Sequence, residues 1–187
     1  HRDVHGLGRR LRQLCIREWV GGRLLTVNLS RDEAGLYLGH NGGRTRNVHD
    51  QLHQIWHEMA DEGLISADHY RAATVMNFYK SPDEFMAPLK DSSSAAYRNG
   101  LRLLDQRTVY VECPYRRRWK DNGDTATFAA GLMATIRSWS RHSFASTAGD
   151  AAADELYARL EKRIAAAPDE WSLDYVEHHQ IMEKVAA

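Results

Sequence analysis

Adjacent glycines, Gly21-Gly22, separate an arginine-rich stretch from a short apolar run, and this junction restricts the fold more than any other feature of the chain. Before it, Leu7, Leu11, Leu14 and Cys15 recur at helical spacing, with Arg9, Arg10, Arg12 and Arg17 between them. That pattern predicts an amphipathic helix, and the two glycines stop it. After the glycines, Leu24 to Leu29 is a short apolar run bounded by turn signals, which predicts a buried parallel strand. Helix, turn and buried strand together make the last αβ step of a doubly wound sheet, so the expected class is α/β.

Past Ser30 the character changes. Residues 31 to 47 are polar and glycine-rich, a loop. Val48, Leu52, Ile55, Trp56 and Met59 mark one face of a helix that Gly63 ends. Ser81-Pro82-Asp83-Glu84 is a helix start: Ser81 caps, Pro82 takes the first helical position and Glu84 closes a capping box. Asp91 to Gly100 reads as loop. Thr108 to Cys113 has the β-branched and aromatic content of a strand, which Pro114 ends. A turn at Asp121-Asn122-Gly123-Asp124 precedes a long helix from Thr125 to about Ser146, with Phe128, Leu132, Ile136, Trp139 and Ser143 on one face. Leu156, Leu160 and Ile164 mark a further helix stopped before Pro168, and Ser172 to Val185 alternates as a closing strand. Three strands cannot cover both faces of a sheet, so the chain is expected to be part of a fold.

Composition narrows the function classes. Twenty-five basic residues balance 25 acidic ones, so no global field attracts nucleic acid or an anionic membrane. The run Arg116-Arg117-Arg118 reads as a solvated edge. No apolar run approaches the roughly 20 residues of a membrane span. The two cysteines, Cys15 and Cys113, lie far apart without CxxC spacing, which excludes a disulfide framework and a cysteine zinc site and suits a reducing cytosol. No charged-then-apolar leader opens the chain. The expectation is a soluble cytoplasmic protein.

Several site signals are incomplete. His49, His53 and His57 share a helix face at intervals of four, as metal ligands on a helix do. Yet His57-Glu58-Met59-Ala60-Asp61 lacks the second histidine of the zincin pattern, so no metal is expected. His178 and His179 are neighbours on a strand and point to opposite faces. Gly39-His40-Asn41-Gly42-Gly43 lacks the Gly-Lys-Ser/Thr ending of a phosphate loop. There is no Gly-x-Ser-x-Gly elbow, and neither cysteine has an activating partner.

Three segments in fixed order carry a resemblance: Gly21-Gly22-Arg23 with the strand that follows, Glu62-Gly63-Leu64-Ile65, and Tyr79-Lys80-Ser81-Pro82-Asp83-Glu84. Ile136-Arg137-Ser138-Trp139 and Gln180-Ile181-Met182-Glu183-Lys184 extend it. In this order they resemble the carboxy-terminal half of the plant-type carboxyl methyltransferases called SABATH, from about residue 7 to 185. The resemblance implies the carboxy-terminal part of a class I, Rossmann-like methyltransferase sheet with a mostly helical cap inserted. Residues 1–30, 101–116 and 147–187 would be sheet core; residues 31–100 and 117–146 would be the substrate cap. It also implies S-adenosylmethionine as cofactor, methyl esters of small carboxylic acids as products, and a homodimer.

Carried over position by position, the acid pocket would be lined by Leu29, Val48, His49, Phe78, Ile136 and Trp139. His49 stands where members taking aromatic acids commonly have tryptophan, and Trp139 where a smaller aliphatic is usual. Both changes leave room for a fatty or alkyl acid. Some members hold a metal near the cap with an Asp-x-Phe-Asn segment. Arg71 to Thr74 has none of those residues, so no metal carries over. The glycine-rich loop and acidic residue that grip the cofactor in class I enzymes belong to the other half, so the cofactor-binding residues are not assigned here. This chain alone is expected to lack methyl transfer. The competing expectation is a non-catalytic helical cap or interaction module without the cofactor-binding half.

Overall fold

The computed structural model describes residues 19–37, 46–75 and 78–186. The helix expected over Leu7–Cys15, like Gly39–Gly43, lies outside the described residues. In chain order the described elements are β1 (Arg23–Ser30), α1 (Val48–Asp61), α2 (Ala67–Ala72), α3 (Pro82–Lys90), α4 (Ala95–Arg98), β2 (Leu101–Val111), α5 (Pro114–Asn122), α6 (Thr125–Ala148), α7 (Asp150–Ala166) and β3 (Tyr175–Lys184). A 3-10 turn, Pro168–Glu170, precedes β3. The chain divides into two units. A sheet unit takes the described residues up to Gly35 with Tyr79–Tyr110 and Val176 onward, and a helical unit takes Leu36–Phe78 and Val111–Tyr175.

The strands of the sheet unit lie in the order β1-β3-β2. β1 is antiparallel to β3, from Arg23 opposite Glu183 to Ser30 opposite Val176. Val185 N–H donates to the Gly100 carbonyl at 2.8 Å, so the end of β3 meets the start of β2 and that pair is antiparallel too. This corrects the buried parallel strand expected for Leu24–Leu29. Thr26 and Asn28, placed alternately within the run, are the sign of a strand with two unlike faces. On one face Leu24, Thr26 and Asn28 stand opposite Met182, Gln180 and His178, all three of the latter buried. On the other face Leu25, Val27 and Leu29 are 61%, 48% and 49% exposed.

Helix α3 covers the first of these faces with buried Met86 and Leu89. The Phe85 ring stacks on His178 at 5.4 Å and 13°, and Gln180 Nε2 donates to the Phe85 carbonyl at 3.3 Å. Its start follows the expected capping box: Ser81 N–H donates to Glu84 Oε2 at 2.7 Å, and Glu84 N–H donates to Ser81 Oγ at 3.3 Å. Ser81's backbone N–H and the Arg31 guanidinium, 3.0 Å away, hold the Glu84 carboxyl below its usual range. The stretch Asp91–Gly100, expected as loop, contains the short helix α4, whose N-cap is Ser94.

The helical unit is built on the periodicity read from the sequence. Val48, Leu52, Ile55, Trp56 and Met59 form the buried face of α1, and Phe128, Leu132 and Ile136 that of α6. Later in α6 the buried stripe passes to Ser140 and Phe144. Gly149 reverses the chain into α7, and Leu156, Tyr157, Leu160 and Ile164 join the same core. Arg159 donates twice to Glu62, at 2.8 and 2.7 Å, and Arg163 pairs with Glu58, which fixes α7 against α1. Residues 150–166 therefore belong with the helices, although the expected division gave residues 147–187 to the sheet. Conversely, α3 and α4 belong with the sheet, although residues 31–100 were expected as cap. The reason is packing: α7 has its apolar stripe against α6, and α3 has its own against β3.

Two local departures have clear causes. β2 begins at Leu101 and ends at Val111, because Cys113 caps α5 with its Sγ accepting from Arg116 N–H at 3.4 Å and Pro114 takes the first helical position. Arg116 then turns inward, which corrects its place in a solvated run. It is buried, and its guanidinium donates to the carbonyls of Asp169 (2.8 Å) and Trp171. Among the described residues no helix is long and apolar enough to cross a membrane.

Candidate functional site

The six residues of the expected acid pocket do not converge on one place. Val48 and Ile136 lie in the helical core at essentially zero exposure, offering no surface to a ligand. Their positions on the inward stripes of α1 and α6 demand this, since a helix packed along one face buries every residue of that stripe. Phe78 is 77% exposed. Leu29 belongs to the sheet unit and its exposed face. His49 and Trp139 come together, with ring centroids 5.2 Å apart and tilted by 53°.

Local structure explains the pair. Asn47 caps α1, its side-chain oxygen accepting from His49 N–H at 2.8 Å and from Asp50 N–H at 3.3 Å. This fixes the first turn and with it the direction of the His49 side chain. Trp139 follows Ile136 by three residues on α6, so it stands beside the buried stripe and only partly inside it. Tyr37 approaches His49 from the loop that precedes α1, at 6.3 Å and 38°. Burial lowers the His49 pKa from its ordinary value, and the Asp50 carboxylate opposes that shift. The imidazole is therefore neutral at neutral pH. The three rings make a half-buried wall suited to an apolar body and carrying no fixed charge.

His53 and His57 continue along α1 but do not extend the wall. His53 stacks on Tyr70 at 5.6 Å with its Nε2 3.3 Å from the Tyr70 hydroxyl, and His57 meets the same ring edge-on. His57 Nδ1 lies 3.0 Å from the Asp61 carboxylate. Among the described residues no three histidine, cysteine or acidic side chains converge as metal ligands. Tyr37 escaped the sequence argument because it lies in a polar, glycine-rich segment. Its aromatic character in the polar stretch ahead of α1 was the one signal available.

Among the described elements, β2 passes into α5 through Glu112-Cys113, without a glycine of the kind that lets a nucleotide approach backbone N–H groups.

No family model matches the chain, and no curated protein does. Among solved structures it is similar to "Loganic acid methyltransferase with SAH", with a TM-score of 0.62 and 13% sequence identity. The match covers 89% of this chain and 43% of that one. The chain thus has a methyltransferase-like fold and spans less than half the length of the structure it resembles.

Proposed function

We propose that this chain is the substrate cap and the end of the sheet of an S-adenosylmethionine-dependent O-methyltransferase that forms methyl esters of small carboxylic acids. The observation that carries the proposal is the fold similarity over 89% of the chain to a loganic acid methyltransferase. The ordered segments around Gly21-Gly22, Glu62-Gly63 and Ser81-Pro82 support the same family. The chain matches 43% of that structure's length, and the proposal assigns the cofactor grip to the part that the match leaves uncovered.

The cofactor, when bound, supplies an electrophilic methyl group on a sulfonium. A carboxylic acid of reference pKa near 4 is already an anion at neutral pH, so the chain need not supply a general base. What the helical unit supplies is orientation and exclusion of water. Holding reactants in line is worth roughly 7–11 kcal/mol of barrier in favourable cases. Trp139, His49 and Tyr37 form an apolar wall for the body of the acid, and burial keeps His49 uncharged beside it.

The test is a transfer assay with methyl-labelled S-adenosylmethionine and a panel of aromatic, terpenoid and alkyl acids. The enzyme is the polypeptide extended upstream of His1. Labelled methyl ester from at least one acid class is expected, and no ester from the 187-residue chain alone. Failure of the extended polypeptide with every class would sink the catalytic proposal; turnover by the short chain would sink the division of labour.

A further inference from the structure

Arg116, on the first turn of α5, is a buried cation with no part in the wall described above; it is 8% exposed. Its Nη1 donates to two carbonyls, that of Asp169 at 2.8 Å and that of Trp171, and not to a carboxylate. Its Nε is enclosed without a hydrogen-bond partner. Taking a guanidinium out of water is unfavourable, and two carbonyls offset that only in part. An apolar side chain of similar volume would fill the same space without the penalty, so packing alone does not account for an arginine here.

The two carbonyls flank Glu170, and the arrangement they leave for Glu170 gives the arginine a role. Pro168–Glu170 is a single 3-10 turn, closed by Trp171 N–H on the Pro168 carbonyl at 3.2 Å. With the carbonyls on either side drawn to Arg116, the Glu170 carbonyl accepts from Arg46 N–H at 2.8 Å. The Glu170 carboxylate pairs with Arg46 Nε, and the Arg46 guanidinium lies 6.0 Å from the centre of the Trp171 ring. Arg46 is thereby held through main chain and side chain at once. Its Nη1 also reaches Gln51 Oε1 at 3.5 Å, the oxygen to which Arg163 of α7 donates at 3.3 Å. The next residue is Asn47, the cap of α1, whose side chain accepts from His49 N–H at 2.8 Å.

We infer that Arg116 and Glu170 are positioning residues for the wall made by His49 and Trp139. Arg116 shapes the turn, Glu170 holds Arg46, and Arg46 seats the Asn47 cap from which His49 is aimed. All of these residues belong to the helical unit. The inference rests on the proposed function in one respect, that the wall receives the acid.

The experiment is NMR on the 187-residue chain as wild type, Glu170→Ala, Glu170→Gln and Arg116→Met, following the contact between the His49 and Trp139 rings and the titration of His49. In Glu170→Ala the ring-to-ring cross-peaks are expected to weaken. The His49 midpoint should rise toward the ordinary histidine value, because a ring released from burial takes a proton more easily. Loss of the Glu170 charge alone would lower that midpoint, so the sign separates positioning from direct electrostatics. Glu170→Gln keeps an acceptor for Arg46 and should retain the ring contact. Arg116→Met keeps the volume, removes both carbonyl bonds and should weaken the ring contact as Glu170→Ala does. Glu170 is half exposed, so Glu170→Ala decides if Arg116→Met fails to fold. The stack of His53 on Tyr70, further along α1, should survive in every variant. Its loss together with the His49 contact would mean general loosening of α1 and overturns the inference. An unchanged His49–Trp139 contact in folded Glu170→Ala also overturns it. In the active extended polypeptide, Glu170→Ala should raise KM for the acid about threefold or more with kcat kept. A displaced His49 ring with KM unchanged would uphold the positioning and defeat only the assignment of the acid to this wall.

Discussion

At the scale of single residues, Ile136 and Trp139 show how three positions on one helix separate core from candidate wall. Ile136 is enclosed, so Ile136→Ala removes buried methyl groups and leaves a cavity. A loss of about 2–5 kcal/mol in unfolding free energy is expected by urea denaturation. Trp139→Ala should cost clearly less, and should instead raise KM for the acid in the active extended polypeptide. A Trp139→Ala variant with unchanged KM for every substrate would remove it from the pocket. The pairing of His49 with Trp139 was legible as two candidate positions. The burial of Val48 and Ile136 was legible too, because the same helical stripes that nominate a pocket wall also nominate a core.

His178 offers a pH test. It is 1% exposed, neither ring nitrogen has a hydrogen-bond partner, and burial lowers its pKa, with the neighbouring His179 adding to the shift. The folded state therefore resists a proton that the unfolded chain accepts near the ordinary histidine value. Stability is fully present above that value and is lost as pH falls from it toward the lowered folded value. Each such histidine contributes a slope of at most about 1.4 kcal/mol per pH unit, and His49 acts in the same direction. Urea midpoints of the wild type should fall between about pH 7.5 and 5.5, and His178→Phe, which keeps the stack on Phe85, should flatten that fall. An unchanged slope in the variant would contradict the assignment.

At the scale of elements, starts and stops were better legible than partners. Ser81-Pro82-Asp83-Glu84 announced α3 because capping is local chemistry written within four residues. The face of α1 was visible because five apolar residues repeat at helical spacing. What a short apolar run pairs with is not local: Leu24–Leu29 fits either a parallel or an antiparallel neighbour, and only the register to β3 decides. The same holds for α7, whose stripe specifies that it packs but not on which layer. Gly100 tests the β2–β3 junction. Its φ is +74°, and a Cβ there would lie 2.3 Å from the Val185 carbonyl oxygen, a backbone atom that cannot swing away. Gly100→Ala is expected to cost more than about 1 kcal/mol by denaturation and to speed amide exchange at Val185. A neutral effect would mean that the junction yields more easily than its geometry implies.

At the scale of the whole molecule, the account depends on division of labour. Three described strands and a half-exposed face on β1 are what a sheet shared with further polypeptide would show. The sequence pattern carried the same expectation, since three strands cannot be enclosed by the helices beside them. It could not show which face stays open, because that depends on where α3 lands. The most direct test is calorimetric titration of S-adenosylhomocysteine into the 187-residue chain and, in parallel, into the polypeptide extended upstream of His1. The account predicts no binding heat with the short chain and saturable binding with the longer one. Saturable binding by the short chain would contradict it, placing the cofactor grip within residues assigned here to the cap and the end of the sheet.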